Sequence, residues 1–253
     1  MKVIFSGLES SGKSLKLAML VTDLAYRNCK WYEKQLNDWE RLGQIKYEKK
    51  YGEGARPAPR PIWSNLKFSD PFEKYCKEEL GIPIFYWSNL SELIEIQNAD
   101  VICDEVGNYF DARMWEQLTM DVRRWLTQGA KMGIEFYGSA QDFAQVDKAF
   151  RRLVNHLLHI RKIVGSRRPS ATKPPVQFVW GFCMVTELDP QGYDEDSNKF
   201  ANVNILNFRL FTIRKHYTQI FDTLQKIKRS APPPLIKEVR VCLEDGYKRV
   251  RYY

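Results

Sequence analysis

The sequence predicts an α/β fold of the P-loop NTPase type: a mostly parallel sheet flanked by helices, with an antiparallel β extension near the C-terminus. Three observations lead there. A G-x-x-x-x-G-K-[ST] spacing falls at Gly7, Gly12, Lys13 and Ser14. Short apolar runs alternate with helical patterns as far as about residue 154. Two longer apolar runs follow, separated by an acidic, polar stretch.

Lys2 to Ser6 is a short, largely apolar run ending in a glycine turn, and Leu17, Leu20, Val21 and Leu24 then recur at spacings of three and four, so the chain opens strand, loop, helix. Lys30 to Tyr51 reads as an extension of that helix or as a helical insertion, closed by the Gly- and Pro-rich stretch Gly52 to Pro61. Pro61 to Phe68 and Ile82 to Tyr86 are expected strands, the second leading into a helix capped by Asn89 or Ser91 with Glu92 in its first turn. Val101 to Cys103 is a buried strand, Ala112 to Thr127 an amphipathic stretch, Ile134 to Gly138 a further strand, and Phe143 to about Val154 a helix; His156 and His159 are read as sharing a helix face, with no Cys or acidic partner at ligand spacing to make a zinc site. From Ile160 the residues Arg161, Lys162, Arg167, Arg168 and Lys173 among Ser, Thr and Pro suggest an exposed basic loop. Val176 to Thr186 and Asn202 to Ile213 are expected antiparallel strands. Residues 1–229 are taken as the ATPase domain and 230–253 as a basic, proline-led tail.

Composition narrows the function classes. With 253 residues, 44% hydrophobic and 13% aromatic, the chain can bury a substantial core, which excludes disorder as the whole answer. Lys and Arg number 39 against 31 Asp and Glu, a formal charge of +8 that favours a polyanion or an anionic membrane surface as partner, or simply a soluble basic protein. Five scattered cysteines without CxxC spacing read as reduced thiols in a cytoplasm. Met1 to Phe5 is too soon followed by Glu9 and Lys13 for a signal peptide, and the longest apolar run, Val176 to Val185, is about half of what a transmembrane helix needs.

The glycine spacing carries the chemistry. Between a strand and a helix, Gly7, Ser10, Ser11 and Gly12 let backbone N–H groups point into a phosphate-sized space, Lys13 reaches the β- and γ-phosphates of ATP, and the Ser14 hydroxyl ligates Mg²⁺. Hydrolysis also needs an acid for the metal and a base for water. Asp104 and Glu105, directly after a buried strand, supply them, Asp104 toward Mg²⁺ and Glu105 as general base. Alone, such an acidic pair is more often a solvated strand end; beside a phosphate loop the balance reverses. Gln141, after the strand at 134–138, would sense the γ-phosphate or orient the water, although a polar turn residue is an equally common reading. Arg151 and Arg152 are arginine-finger candidates toward a neighbouring subunit, against the commoner fate of surface salt bridges.

These elements resemble the Zot-domain (zonular occludens toxin-like) family of phage assembly ATPases, within the wider FtsK/HerA class of DNA-packaging P-loop ATPases. The resemblance adds Pro61-Ile62-Trp63-Ser64-Asn65, Gly133 to Gln141, Val146-Asp147-Lys148-Ala149-Phe150-Arg151 and Ile220-Phe221-Asp222-Thr223. It implies an ATP- and Mg²⁺-dependent ATPase that forms a homo-oligomeric ring and couples hydrolysis to DNA packaging or virion assembly, with virion or membrane proteins as further partners and the host cytoplasm, or the periphery of the inner membrane, as its place. Thr127 to Lys131 departs from the pattern in having no arginine, and the chain encodes no membrane-spanning helix of its own. The alternative is a nucleotide-dependent adaptor or scaffold for virion morphogenesis at the host membrane; a small-molecule kinase fits less well, because a kinase has no water for Glu105 to activate.

Overall fold

The computed structural model describes residues 1–8, 11–111, 118–165, 181–190, 205–213, 220, 239–241 and 250–252. Eight strands form one sheet: β1 (Lys2–Ser6), β2 (Ile62–Ser64), β3 (Ile84–Tyr86), β4 (Asp100–Cys103), β5 (Glu135–Ala140), β6 (His156–Gly165), β7 (Gly181–Leu188) and β8 (Ile205–Ile213). Their spatial order is β3-β2-β4-β5-β1-β6-β7-β8. All pairs from β3 to β6 are parallel, whereas β7 and β8 add on antiparallel. The expected fold class is therefore the observed one.

β1 shows why the parallel part reads as unbroken apolar runs: Val3 and Phe5 enter the core on one face and Ile4 the core on the other. The first core is covered by helix α1 (Lys13–Tyr51), through Leu17, Ala18, Val21, Leu24 and Ala25, and by α2 (Asp70–Glu78), which contributes Cys76. The second lies under α3 (Met120–Gln128), through Val122, Trp125 and Leu126, and under α4 (Lys148–Arg151), where Phe150 stacks on Phe110 with ring centroids 4.5 Å apart.

The ambiguity over Lys30 to Tyr51 resolves into a helical hairpin. Gly43 leaves the helical region at φ 70°, ψ 169°. Tyr47 Oη then donates to Gln35 Oε1 at 2.8 Å, and Lys50 Nζ and Tyr51 Oη donate to Asp38 at 2.6 and 2.7 Å. In a straight helix, residues twelve apart would be separated by about 18 Å. The chain has thus turned back on itself, at a residue without a Cβ to oppose a positive φ.

Other expectations are corrected. Residues 143–154 do not form one helix: a 3₁₀ turn, Phe143–Gln145, gives way to extended backbone at Val146 and Asp147, and Asp147 then caps the short α4 by accepting from the Ala149 and Phe150 amides. The segment after the strand at 84–86 is a 3₁₀ turn, Leu90–Leu93, closed by a capping box between Asn89 and Glu92. The region read as a basic loop starts as strand, since β6 runs on to Gly165 by pairing with β7; residues 166–173 lie outside the described residues. His156 and His159 are accordingly on β6, not on a helix, and an odd spacing on a strand sends them to opposite faces. His156 Nδ1 meets Glu187 Oε1 at 2.7 Å and His159 Nδ1 meets Ser6 Oγ at 3.2 Å. Helix α2 was not anticipated; it is short and buries little. Of the expected tail, Val239–Val241 (β9) and Val250–Tyr252 (β10) pair as an antiparallel ribbon, and the rest lies outside the described residues.

A buried ion cluster fastens α1 to the start of the sheet. Asp100, fully buried at the head of β4, accepts from Arg60 Nε at 2.8 Å, Asn28 Nδ2 at 2.8 Å and Arg27 Nη2 at 3.0 Å. Arg60 also donates to the Gly133 and Ala99 carbonyls, both at 2.8 Å, and Arg27 to Glu135 at 2.9 Å. Burial opposes charge on Glu135, but hydrogen bonds from Tyr137 and Arg27 outweigh it and hold the carboxyl below the ordinary range. Removing Asp100 would leave two guanidinium groups without their shared counter-charge. Asp100→Ala is therefore expected to lose about 3–5 kcal/mol of stability in denaturant unfolding; a loss below about 1 kcal/mol would show the cluster to be peripheral.

Candidate functional site

The loop after β1 is shaped by its lack of side chains. At Gly7, with φ 148°, a Cβ would stand 2.4 Å from the Ile160 carbonyl oxygen of β6 and 2.9 Å from Ser11 Oγ, so only glycine lets the chain pass there. Gly12, at φ 98° and ψ 16°, caps α1 and turns the chain into it. Ser11 N donates to the Leu8 carbonyl at 3.1 Å, closing the loop. Lys13 is buried, its Nζ donating to the carbonyls of Gly7 at 2.8 Å and Leu8 at 3.0 Å, which folds the ammonium back over the loop. Ser11 Oγ is buried with no hydrogen-bond partner. An anion seated on this loop would meet the first amides of α1, the Lys13 ammonium and a free Ser11 hydroxyl. Ser10 lies outside the described residues.

The sheet brings the acidic residues to the same place. Register pairs Phe5 with Ser139 and Cys103 with Gly138, so β1, β5 and β4 end nearly level. Ser14 Oγ stands 3.5 Å from both carboxylate oxygens of Asp104. Asp104 is held from two sides: Asn65 accepts from its N–H at 2.6 Å and donates to its carbonyl at 2.9 Å, while Ser139 Oγ donates to Oδ1 at 2.5 Å. The same Ser139 oxygen accepts from the Glu105 N–H at 3.1 Å. Glu105 has left-handed backbone, φ 55° and ψ 63°, a conformation that costs a non-glycine residue about 1–2 kcal/mol and here turns the chain sharply out of β4. Gln141 Nε2 donates to Glu105 Oε1 at 3.3 Å.

Lys13, Ser14, Asp104, Glu105 and Gln141 therefore share one edge of the sheet. Arg151 and Arg152 do not join them. They stand just before Asn155, whose Oδ1 accepts from Lys2 N at 2.7 Å at the opposite end of β1. Asn65 and Ser139 had no role assigned from sequence; an Asn ending one short strand and a Ser near the end of another were their only signals. Beside the loop, Cys183 Sγ donates to the Ser11 carbonyl at 3.5 Å, and burial pushes the thiol up to about 11. Burial, reinforced by Arg161 and Lys13, lowers the pKa of His159 and keeps that ring neutral at pH 7.

The donor set suits magnesium. The ion takes oxygen ligands and is commonly held by one or two protein oxygens together with phosphates and water. Ser14 Oγ and the Asp104 carboxylate form such a partial set, and among the described residues no cluster of three or more His, Cys, Asp or Glu forms a self-sufficient metal cage. With nucleotide bound, the metal would neutralise charge building on the phosphates.

The order strand, glycine loop and helix in a mostly parallel sheet makes this a P-loop NTPase fold. Among solved structures, the N-terminal domain of zonular occludens toxin from Neisseria meningitidis is similar with a TM-score of 0.51 at 17% identity, over 87% of this chain and 98% of that one. The genome packaging NTPase B204 from Sulfolobus turreted icosahedral virus 2, in complex with ATP-gammaS, gives a TM-score of 0.37 at 12% identity, over 81% and 95%. No curated protein matches the chain. The family model described as Zonular occludens toxin (Zot) matches residues 2–170, two thirds of the chain, and the protein belongs to that family.

Proposed function

We propose that the protein binds ATP with Mg²⁺ and hydrolyses it, coupling turnover to DNA packaging or virion assembly in an oligomeric ring. The observation that carries the reading is the single edge at which the Lys13 loop meets Asp104 and Glu105, with Ser139 hydrogen-bonded to the Asp104 carboxylate and to the Glu105 backbone N–H. In this scheme the loop amides and Lys13 hold the β- and γ-phosphates, while Ser14 and Asp104 hold the metal. Glu105 takes the proton of the attacking water on a carboxylate oxygen, and Gln141, in contact with that carboxylate, orients the same water. Arg151 or Arg152, being distant from the loop of their own chain, would act only on a neighbouring subunit's nucleotide.

Family membership and the charge of +8 support DNA as the polyanion that the motor handles. One observation favours the alternative, a nucleotide-dependent adaptor. The edge strand β8 exposes Ile205, Leu206, Phe208 and Leu210, an apolar surface suited to protein contact.

Lys13→Ala is expected to abolish magnesium-dependent ATP binding in equilibrium dialysis, whereas Glu105→Gln should keep the binding and lose about 10²–10⁴-fold in hydrolysis rate; a wild-type rate in Glu105→Gln would remove it as the base. Ser139→Ala should lower kcat about tenfold with little change in KM, since it releases the Asp104 carboxylate and the Glu105 backbone N–H without touching the phosphate loop; a rise in KM alone would make Ser139 a structural residue only. DNA-stimulated ATPase activity is expected to fall steadily as salt rises; tight ATP binding with no response to single- or double-stranded DNA would favour the adaptor.

A further inference from the structure

The edge of the sheet opposite the phosphate loop carries a cleft of about 1100 Å³ that the proposed reaction does not use. Both arms of the α1 hairpin form one wall, the proline-rich loop before β2 a second, and residues 95–98 before β4 a third. Its volume is slightly above the ~300–1,000 Å³ of small-molecule pockets, enough for several residues of an extended chain.

Two side chains in its lining carry buried nitrogens with no hydrogen-bond partner: Gln35 Nε2 and Trp63 Nε1, on residues only 3% and 2% exposed. Gln35 is held in place, its Oε1 accepting from Tyr47 Oη at 2.8 Å and from the Ala58 N–H at 3.4 Å, so the amide presents its NH₂ group as the unused end. A buried donor left unpaired costs about 1–3 kcal/mol, and two in one cleft point to acceptors that arrive with a ligand. Unpartnered donors also occur elsewhere, at Tyr32 and Trp125, but neither of those lines this cleft. Arg56, exposed on the rim, makes no ion pair among the described residues, whereas Arg27 and Arg60 are already committed to Asp100 and its neighbours.

The unused groups are thus donors and a cation, and the ligand must supply acceptors and one negative charge. The rest of its chemistry follows from the walls. Trp31, 45% exposed, and Ile96 offer apolar contact; Glu135 is committed to Arg27 and Tyr137, which leaves Glu95 as an acidic lining residue that would oppose a polyphosphate backbone carrying a charge on every unit. We propose that this cleft binds an extended acidic–apolar peptide segment of a partner protein. A carboxylate of the segment pairs with Arg56 and apolar side chains lie against Trp31, while main-chain carbonyls accept from Gln35 Nε2 and Trp63 Nε1 once the side chains that cover these two buried nitrogens move aside. The site shares no residue with the nucleotide edge and stands or falls independently of it.

The test uses the full chain with ¹⁵N-labelled tryptophan, the Trp63 indole resonance being identified by its loss in Trp63→Phe. Three probes are titrated: N-acetyl-Leu-Pro-Glu-Leu-Leu amide, its Gln counterpart, and a short oligothymidylate. The Glu peptide is expected to shift the Trp63 indole saturably and to slow its hydrogen exchange. Replacing Glu by Gln, or Arg56 by Ala, should weaken that binding about tenfold through loss of one charge-assisted hydrogen bond, and Gln35→Met should weaken it in the same direction. Arg56 is exposed, so its replacement leaves the fold intact, as near-ultraviolet circular dichroism would verify. A Trp63 indole unmoved by millimolar peptide in the wild type would overturn the proposal. So would an affinity indifferent to both Arg56→Ala and Gln35→Met, or displacement of the peptide by the oligothymidylate, which would make the occupant nucleic acid.

Discussion

The site depends on one constraint: three parallel strands, β4, β5 and β1, are hydrogen-bonded in a register that ends them at nearly the same height. Residues 90 positions apart, Ser14 and Asp104, meet only because the ladder allows no other alignment without turning core side chains out of their faces. The middle strand does more than space its neighbours. At Gly138 an added Cβ would come within 2.3 Å of Val106 and 3.0 Å of Ile4, so this glycine admits the turn after β4 directly onto β5. Ser139, the next residue, then reaches the two acids that the turn presents.

The two edges of the sheet are built on different principles. At the starts of the strands, opposite charges are buried and mutually satisfied around Asp100, an arrangement that tolerates little movement. At their ends the backbone takes positive φ at Gly7, Gly12 and Glu105, in the loop and the turn that carry the candidate site. Positive φ also occurs at the starts, at Asn98 and Gly133, so the two edges differ in their charge networks and not in their backbone; the network around Asp100 fits a scaffold that would keep the groups at the other edge in place.

Much of this was legible in the sequence, and the division between what was and what was not has a physical cause. The phosphate loop could be read because its function lies in local spacing: glycines at 7 and 12 and a lysine at 13 set their own geometry. The strands β1, β4 and β5 could be read because burial on both faces leaves continuous apolar runs. Ser139 and Asn65 could not be given roles, since their importance comes from partners 34 to 39 residues away that only the sheet brings near. The helix expected over 143–154 failed because Asp147 offers its carboxylate to amides ahead of it and starts a new turn, a local competition that hydrophobic spacing does not register. The basic residues after Ile160 suggested a loop because charge was weighed above pairing. On the outer part of a sheet, a strand can carry Arg161 on an exposed position and still hydrogen-bond to its neighbour.

The position of Lys13 has a consequence for selectivity. Its ammonium is already withdrawn from bulk water and rests on two neutral carbonyl dipoles of its own loop. An incoming group therefore exchanges with those dipoles, without first stripping a full hydration shell. A weakly charged visitor gains almost nothing by such an exchange, whereas a dense trianion gains on every oxygen it offers. If the loop takes a nucleotide as proposed, it would select by the charge density of its guest, favouring a polyphosphate over monoanions.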